Sequence, residues 1–170
     1  MVTVEDGSIR TERLTVRPLP VAAARMLPGD RDGAASHMRV ALAADWPQAD
    51  LFDVLPMQAA WCSTGEPYGV WMVIDVASGM VIGDVGFVGP PGEDGVIEIG
   101  FSVIPSYRRR GIATEAVRAL SRWGLSQPAD LSILARCESG NGPSIGVLAR
   151  VGFVRDGIDD SQLRWRLTRD

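Results

Sequence analysis

Arg108, Arg109 and Arg110 stand immediately before Gly111, Ile112, Ala113 and Thr114, where a helical period begins. Cations are misplaced at a helix N-terminus, whose positive end disfavours each by about 0.3–1 kcal/mol. A bound anion reverses that sign. The small residues Gly111 and Ala113 leave the first-turn amides open to a phosphate. Without such an anion the three arginines form only a solvated basic turn. Upstream, Glu98 sits in the middle of an alternating run. Ile97, Ile99, Phe101 and Val103 share one face, and Glu98, Gly100 and Ser102 share the other. The small neighbours leave space beside the glutamate. It is either a solvated edge-strand carboxylate or the wall of a cleft, where partial burial would raise its pKa and make it a base near neutral pH. Downstream, Gly142-Pro143-Ser144-Ile145-Gly146 matches the nucleophile elbow of hydrolases. That chemistry needs a histidine after the serine, and the single histidine, His37, lies far upstream. Ser144 is therefore not a hydrolase nucleophile. Its bland role is a hydroxyl bonding its own backbone early in a helix.

Composition removes other chemistries. The chain has 170 residues, 46% hydrophobic and 22% charged, enough for one well-cored domain over residues 1–170. No lysine occurs, which excludes Schiff-base chemistry and a Walker-type phosphate loop. A formal charge of −4 argues against a nucleic-acid partner. One histidine and two cysteines, Cys62 and Cys137, cannot assemble a Cys₄ or Cys₂His₂ zinc site, so no metal is expected. The cysteines imply no disulfide framework. Met1 to Arg10 has no apolar signal-peptide core, and no apolar run approaches the roughly 18 residues of a membrane span. A reducing cytoplasm is the expected compartment, with no membrane partner.

These residues need elements to position them. Ser8–Arg17 reads as a first strand, ended by Pro18 and Pro20. Residues 21–60 are helix-rich and broken by Pro28-Gly29, Pro47 and Pro56. Tyr68–Val76 and Met80–Val88 form a hairpin about Ser78-Gly79, followed by the strand Val96–Ile104. Ile112, Ala116, Leu120 and Trp123 then recur at helical spacing, with Arg118, Ser121 and Arg122 opposite. Leu131–Cys137 is a strand. Pro143 to Gly152 bounds a short helix, and Phe153–Arg155 and Leu163–Leu167 close the chain as strands. The order gives an α/β (α+β) fold with a mixed, mostly antiparallel sheet. Trp46, Trp61 and Trp71 read as core. His37 reads as surface. From Gly29 to Glu66 six acidic residues face two arginines. That is either a solvated face or an acidic mouth for a cationic amine.

Three segments carry a family resemblance. Arg108-x-x-Gly111-x-Ala113, after a strand with Glu-Ile-Gly-Phe, resembles the acyl-CoA signature of the GNAT superfamily of N-acetyltransferases. Asn141-x-x-Ser144-x-x-x-Leu148-x-x-x-Gly152-Phe153 is similar to its Asn-x-x-Ser helix. Thr11-Glu12-Arg13-Leu14-Thr15-Val16-Arg17-Pro18-Leu19 resembles the opening of the ribosomal-protein N-terminal acetyltransferase (Rim-type) branch. The resemblance implies a sheet splayed between its fourth and fifth strands, with acetyl-CoA as co-substrate in the splay. Pantetheine would run along Phe101, Ser102, Val103 and Ile104 by backbone bonds. The pyrophosphate would sit on the amides of Arg109, Arg110, Gly111, Ile112, Ala113 and Thr114, with Arg108 beside them. Asn141 and Ser144 would face the thioester. Glu98 matches the position of a base in several members. Leu148 stands where many carry a tyrosine acid, which leaves Ser144 as the candidate for protonating the thiolate. The implied acceptor is a primary amine, on a protein N-terminus or a small molecule, and the protein is expected as a possible homodimer. The competing expectation is a non-catalytic acyl-CoA sensor.

Overall fold

The computed structural model describes residues 3–5, 7–62, 65–127 and 130–169, the first three as backbone. Parts of the expected 1–170 domain and of Met1–Arg10 lie outside the described residues. Ten strands form one sheet: β1 (Thr3–Glu5), β2 (Ser8–Arg10), β3 (Leu14–Pro18), β4 (Ala41–Leu42), β5 (Val70–Asp75), β6 (Met80–Phe87), β7 (Val96–Val103), β8 (Ser132–Glu138), β9 (Val154–Asp159) and β10 (Gln162–Thr168). Their order is β1-β2-β3-β5-β6-β7-β8-β10-β9, with β4 added beside β6. Among the described residues only β4–β6 and β7–β8 pair in parallel. The helices are α1 (Val21–Met26), α2 (Arg31–Met38), α3 (Ala49–Val54), α4 (Gln58–Trp61), α5 (Ile112–Ser126) and α6 (Gly142–Val151).

The expected first strand Ser8–Arg17 is in fact a hairpin. Ile9 pairs with Val16 and Arg10 with Thr15, so Thr11–Leu14 is its turn. Thr11 closes it: its amide donates to the Leu14 carbonyl (2.9 Å), and its hydroxyl accepts from the Leu14 amide (3.0 Å). Further differences are the short β1 and β4 and the greater length of β9. The hairpin Val70–Phe87 forms as its turn chemistry requires, with Asp75 accepting from the Ser78 amide and hydroxyl.

Helix α5 packs across β3, β6, β7 and β8. Its buried face is broader than the sequence stripe. Ile112, Ala116, Val117, Ala119, Leu120, Ser121 and Gly124 are all buried, so Ser121 belongs to the core side and not the polar side. Gly124 is required there: a Cβ would stand 2.9 Å from the Phe87 ring. Trp123 completes an aromatic group with Tyr68, Trp71 and Phe87 at centroid separations of 5.1–6.1 Å. Such pairs add about 0.5–1.5 kcal/mol each beyond burial. Residues of the α1–α4 segment pack elsewhere on the sheet: the Trp46 indole bonds Asp84 of β6, and Gln58 bonds Leu19 and Val70. No helix of the described residues is long and apolar enough to cross a membrane.

Candidate active site

The parallel pairing of β7 with β8 is short. Val96, Ile97 and Glu98 face Ser132, Ile133 and Leu134, and there the register ends. Beyond it β8 pairs only with β10, while β7 stays on β6. The sheet therefore forks at Glu98, between the strands expected to splay. On the β6 side the ladder includes Val88 N–H to the Glu98 carbonyl and Ile104 N–H to the Ile82 carbonyl. Antiparallel bonds alternate, so Glu98, Gly100, Ser102 and Ile104 bond back to β6. Ile99, Phe101 and Val103 present their backbone groups to the fork. Of the four residues expected along the cofactor arm, Phe101 and Val103 thus have backbone groups facing the gap. The Ile104 amide is spent on Ile82, and the Ser102 hydroxyl bonds the Gln48 side chain (2.6 Å).

At the end of β7 the chain turns into α5 through Arg108–Gly111. Arg109 (φ 59°) and Gly111 (φ 76°) are left-handed, a conformation that costs little only for glycine. Gly111 is the N-cap and no side chain caps α5, so its first amides have no side-chain partner. They open onto a cavity of about 840 Å³, within the size range of small-ligand sites. Val103, Gly111, Ile112, Ala113 and Thr114 line it from β7 and α5, and Gly142, Pro143, Gly146 and Val147 from α6. Six guanidinium-bearing residues also line it: Arg13, Arg108, Arg109, Arg118, Arg122 and Arg150.

The three expected arginines divide. Arg109 lines the cavity. Arg108 lines it too, with its Nε donating to the Val103 carbonyl (2.8 Å). Arg110 turns away, and its guanidinium lies 5.1 Å from the Tyr107 ring centroid, a cation–π contact. Glu115 ties the rim together. It accepts from the Thr11 hydroxyl (2.6 Å), the Arg13 amide (3.1 Å) and Arg13 Nε (2.8 Å). Burial works against its charge, but the hydrogen bonds of Thr11 and Arg13 outweigh it and hold the carboxyl below its ordinary range. The Thr11–Arg13 turn is thereby anchored to the first turn of α5.

Asn141 is the N-cap of α6, its Oδ1 accepting from the Ser144 amide (3.1 Å). The Ser144 hydroxyl makes no hydrogen bond among the described residues, so it is not absorbed by its own backbone. Neither residue is in the lining of the arginine cavity. Leu148 is fully buried, so a core side chain fills the position of the family tyrosine.

Glu98 lies at the fork, on the opposite face of β7 from Val103. The space beside it is real: nothing stands within 4 Å of where a Gly100 Cβ would be. The Glu98 side chain is 30% exposed, and Oε2 is ion-paired with Arg136 of β8. Glu98 also lifts Arg136 above its ordinary value, chiefly through that hydrogen bond.

The carboxyl with the large shift is Asp84 of β6, opposite Ser102. Burial pushes it up to about 7. The Trp46 indole, donating at 2.9 Å, opposes this, and the nearby charge of Asp50 adds to it. Sequence reasoning missed Asp84, although an aspartate inside the apolar run Met80–Val88 was the signal. It also missed Arg118, Arg122, Arg150 and Arg136. Arg118 and Arg122 read as the polar side of a helix, Arg150 carried no signal of its own, and Arg136 acquires meaning only from the pairing of β7 with β8.

The comparisons agree with this geometry. Residues 13–154 match the family model described as "Acetyltransferase (GNAT) domain". The chain is 31% identical, over 97% of its length and 97% of the relative's, to "Uncharacterized N-acetyltransferase YjdG" of Bacillus subtilis (strain 168). Its fold is similar to a ribosomal-protein-S5-alanine acetyltransferase from Vibrio fischeri, at TM-score 0.68, 19% identity and coverage of 97% and 98% of the two chains. It is also similar to the microcin C7 self-immunity acetyltransferase MccE, solved with acetyl-CoA and AMP, at TM-score 0.67, 15% identity and coverage of 97% and 98%. The forked sheet, the uncapped α5 and the family match have one reading: the chain belongs to the GNAT acetyltransferase family.

Proposed function

We propose that the protein transfers the acetyl group of acetyl-CoA to a primary amine, on a protein N-terminus or a small molecule, in the cytoplasm. The observation that carries this is the fork of β7 and β8 together with an arginine-lined cavity at an uncapped helix N-terminus, which Val103 of β7 also lines. The residues present fit the co-substrate. The α5 amides and the cavity arginines suit phosphates. The open edge of β7 at Phe101 and at the Val103 amide suits an amide-bearing arm, the Val103 carbonyl being held by Arg108 Nε. Acetyl-CoA supplies the activated acetyl thioester; the protein supplies position and proton traffic. The acetyl-CoA in the MccE structure supports the same reading.

A primary alkylamine has a pKa of about 10.4, so it arrives largely as an ammonium ion. Glu98, with open space over Gly100, takes its proton, directly or through water. A thiolate with a pKa near 8.5 is already a fair leaving group, so the demand on an acid is modest. Ser144, with its hydroxyl free, is the group we assign to protonate it.

Thiol release measured against a panel of amines and peptides tests the activity, and Glu98→Gln tests the base. Turnover on at least one acceptor is expected. The variant's kcat should fall by about 10²–10⁴-fold with acetyl-CoA affinity unchanged. Tight acetyl-CoA binding without turnover on any acceptor would overturn the enzyme in favour of a sensor. Near-wild-type rates on amines of both high and low pKa would remove Glu98 from the mechanism.

A further inference from the structure

Arg136 lies two residues past the last paired position of β8, where the strands have parted. Its side chain nevertheless spans the mouth of the fork. Nη1 donates to Glu98 Oε2, while Nε (3.3 Å) and Nη2 (3.1 Å) donate to Asp159 Oδ2 on β9. One guanidinium thus joins β7, β8 and the last hairpin. Glu98 Oε1 bonds no group among the described residues. The pair fixes one carboxylate oxygen and leaves the other unbonded among the described residues.

We propose that Arg136 and Asp159 are positioning residues for Glu98, holding its carboxylate across the fork with Oε1 presented to the acceptor amine. This rests on the assignment of Glu98 as the proton acceptor. A half-exposed ion pair contributes little to stability, so stability alone is a poor account of a three-part bridge at this point. The surroundings make its electrostatics simple. Arg164 of β10 lies opposite Arg136 in register and is paired with Asp156. Glu138, further along β8, is exposed, and the β6-side neighbour of Glu98 is the apolar Val88. The charges that act on Glu98 are therefore Arg136 directly and Asp159 through it.

The consequence is a pair of opposite effects. Arg136→Gln removes the cation and makes Glu98 easier to protonate. The acidic limb of the kcat/KM profile should move up by about one pH unit, the low end of the effect of an adjacent arginine. Asp159→Asn removes the competing anion, leaves Arg136 to Glu98 alone, and should move the limb down by a smaller amount. Arg136→Lys keeps the charge but not the two-sided fork. It should leave the limb near its wild-type position while lowering kcat. The profiles are measured on the full chain with a weakly basic acceptor, so that the amine does not titrate in the same range, and folding is checked by thermal melting. Shifts of opposite sign in Arg136→Gln and Asp159→Asn support the proposal; shifts of the same sign, or none in folded variants, overturn it. Glu98→Gln separates the two levels. If that variant keeps the acidic limb, the assignment of Glu98 as base has failed. If it loses the limb while Arg136→Gln and Asp159→Asn leave it in place, only the positioning role has failed. If Arg136→Gln does not fold, Asp159→Asn decides: a downward limb supports, an unmoved one overturns.

Discussion

Asp84 should make the protein less stable as pH rises through neutrality, and Asp84→Asn should abolish that loss. The carboxyl is 9% exposed and bonds one protein group, the Trp46 indole. Burial raises it from 3.8 to about 7. The folded state therefore binds a proton that the unfolded chain has released above pH 4, so stability falls with pH across this window. Its contribution is complete below 3.8 and is lost as pH climbs through about 7. At about 1.36 kcal/mol per pH unit the full difference is about 4 kcal/mol. An asparagine keeps an oxygen for Trp46 and cannot ionise. Whatever the amide itself costs is the same at every pH. The stability difference between variant and wild type should therefore swing by about 3–4 kcal/mol in the variant's favour between pH 4.5 and 8. For a chain of this size that is roughly 6–16 °C in Tm. Urea or thermal melts of both proteins at half-unit pH steps measure it. Every other group titrates alike in the two proteins and cancels. Parallel curves across the window would refute the buried, neutral Asp84.

Two further outcomes follow from the cofactor end. Gly111→Val forces a β-branched residue to φ 76° and places methyls before the α5 amides. Acetyl-CoA affinity should fall at least tenfold by calorimetry while the far-UV spectrum is kept, and unchanged affinity would remove the pyrophosphate from this turn. Glu115→Gln breaks the charged bonds to Thr11 and Arg13. Because the carboxyl lies below its ordinary 4.5, its stabilisation is present above that value and is lost as pH falls through the depressed one. Denaturant melts should show a deficit of about 1–2 kcal/mol at pH 7 that closes towards pH 3, the lower figure reflecting the exposure of Arg13.

Legibility followed the range of the interactions. The alternation of Val96–Ile104 and the helical period from Ile112 are local, and both elements stand where the sequence placed them. The turn at Arg108–Gly111 was legible because a motif confined to six residues makes it. The hairpin turn at Thr11 was not, because Glu115, about a hundred residues away, helps to hold it. Ser121 was misplaced because a 3.6-residue stripe drawn from apolar residues omits a small hydroxyl that packs as if apolar. The environment of Glu98 was illegible for a stronger reason. Its alternation fixes the face but not the neighbour, and the neighbour is an arginine on a strand whose pairing no local pattern encodes.

The two sides of β7 divide the problem the enzyme must solve. Val103 lines the cavity with six arginines, while Glu98, Gly100 and Ser102 lie on the other face of β7, with Ser102 bonded to Gln48 and Glu98 to Arg136. A polyanionic donor and a cationic acceptor attract each other, and a surface that mixed both charges would bind them in the wrong arrangements as readily as the right one. One strand with period-two alternation separates them: in the proposed function the cation-lined side would take the phosphates and the carboxylate side the ammonium. The fork is the one place where the sheet ceases to be a wall between the sides, because the β7 edge has no strand partner beyond Glu98. In the proposed function donor and acceptor would meet there. That placement is the reason we assign the proton-accepting role to the carboxylate at the fork rather than to the buried Asp84 of β6.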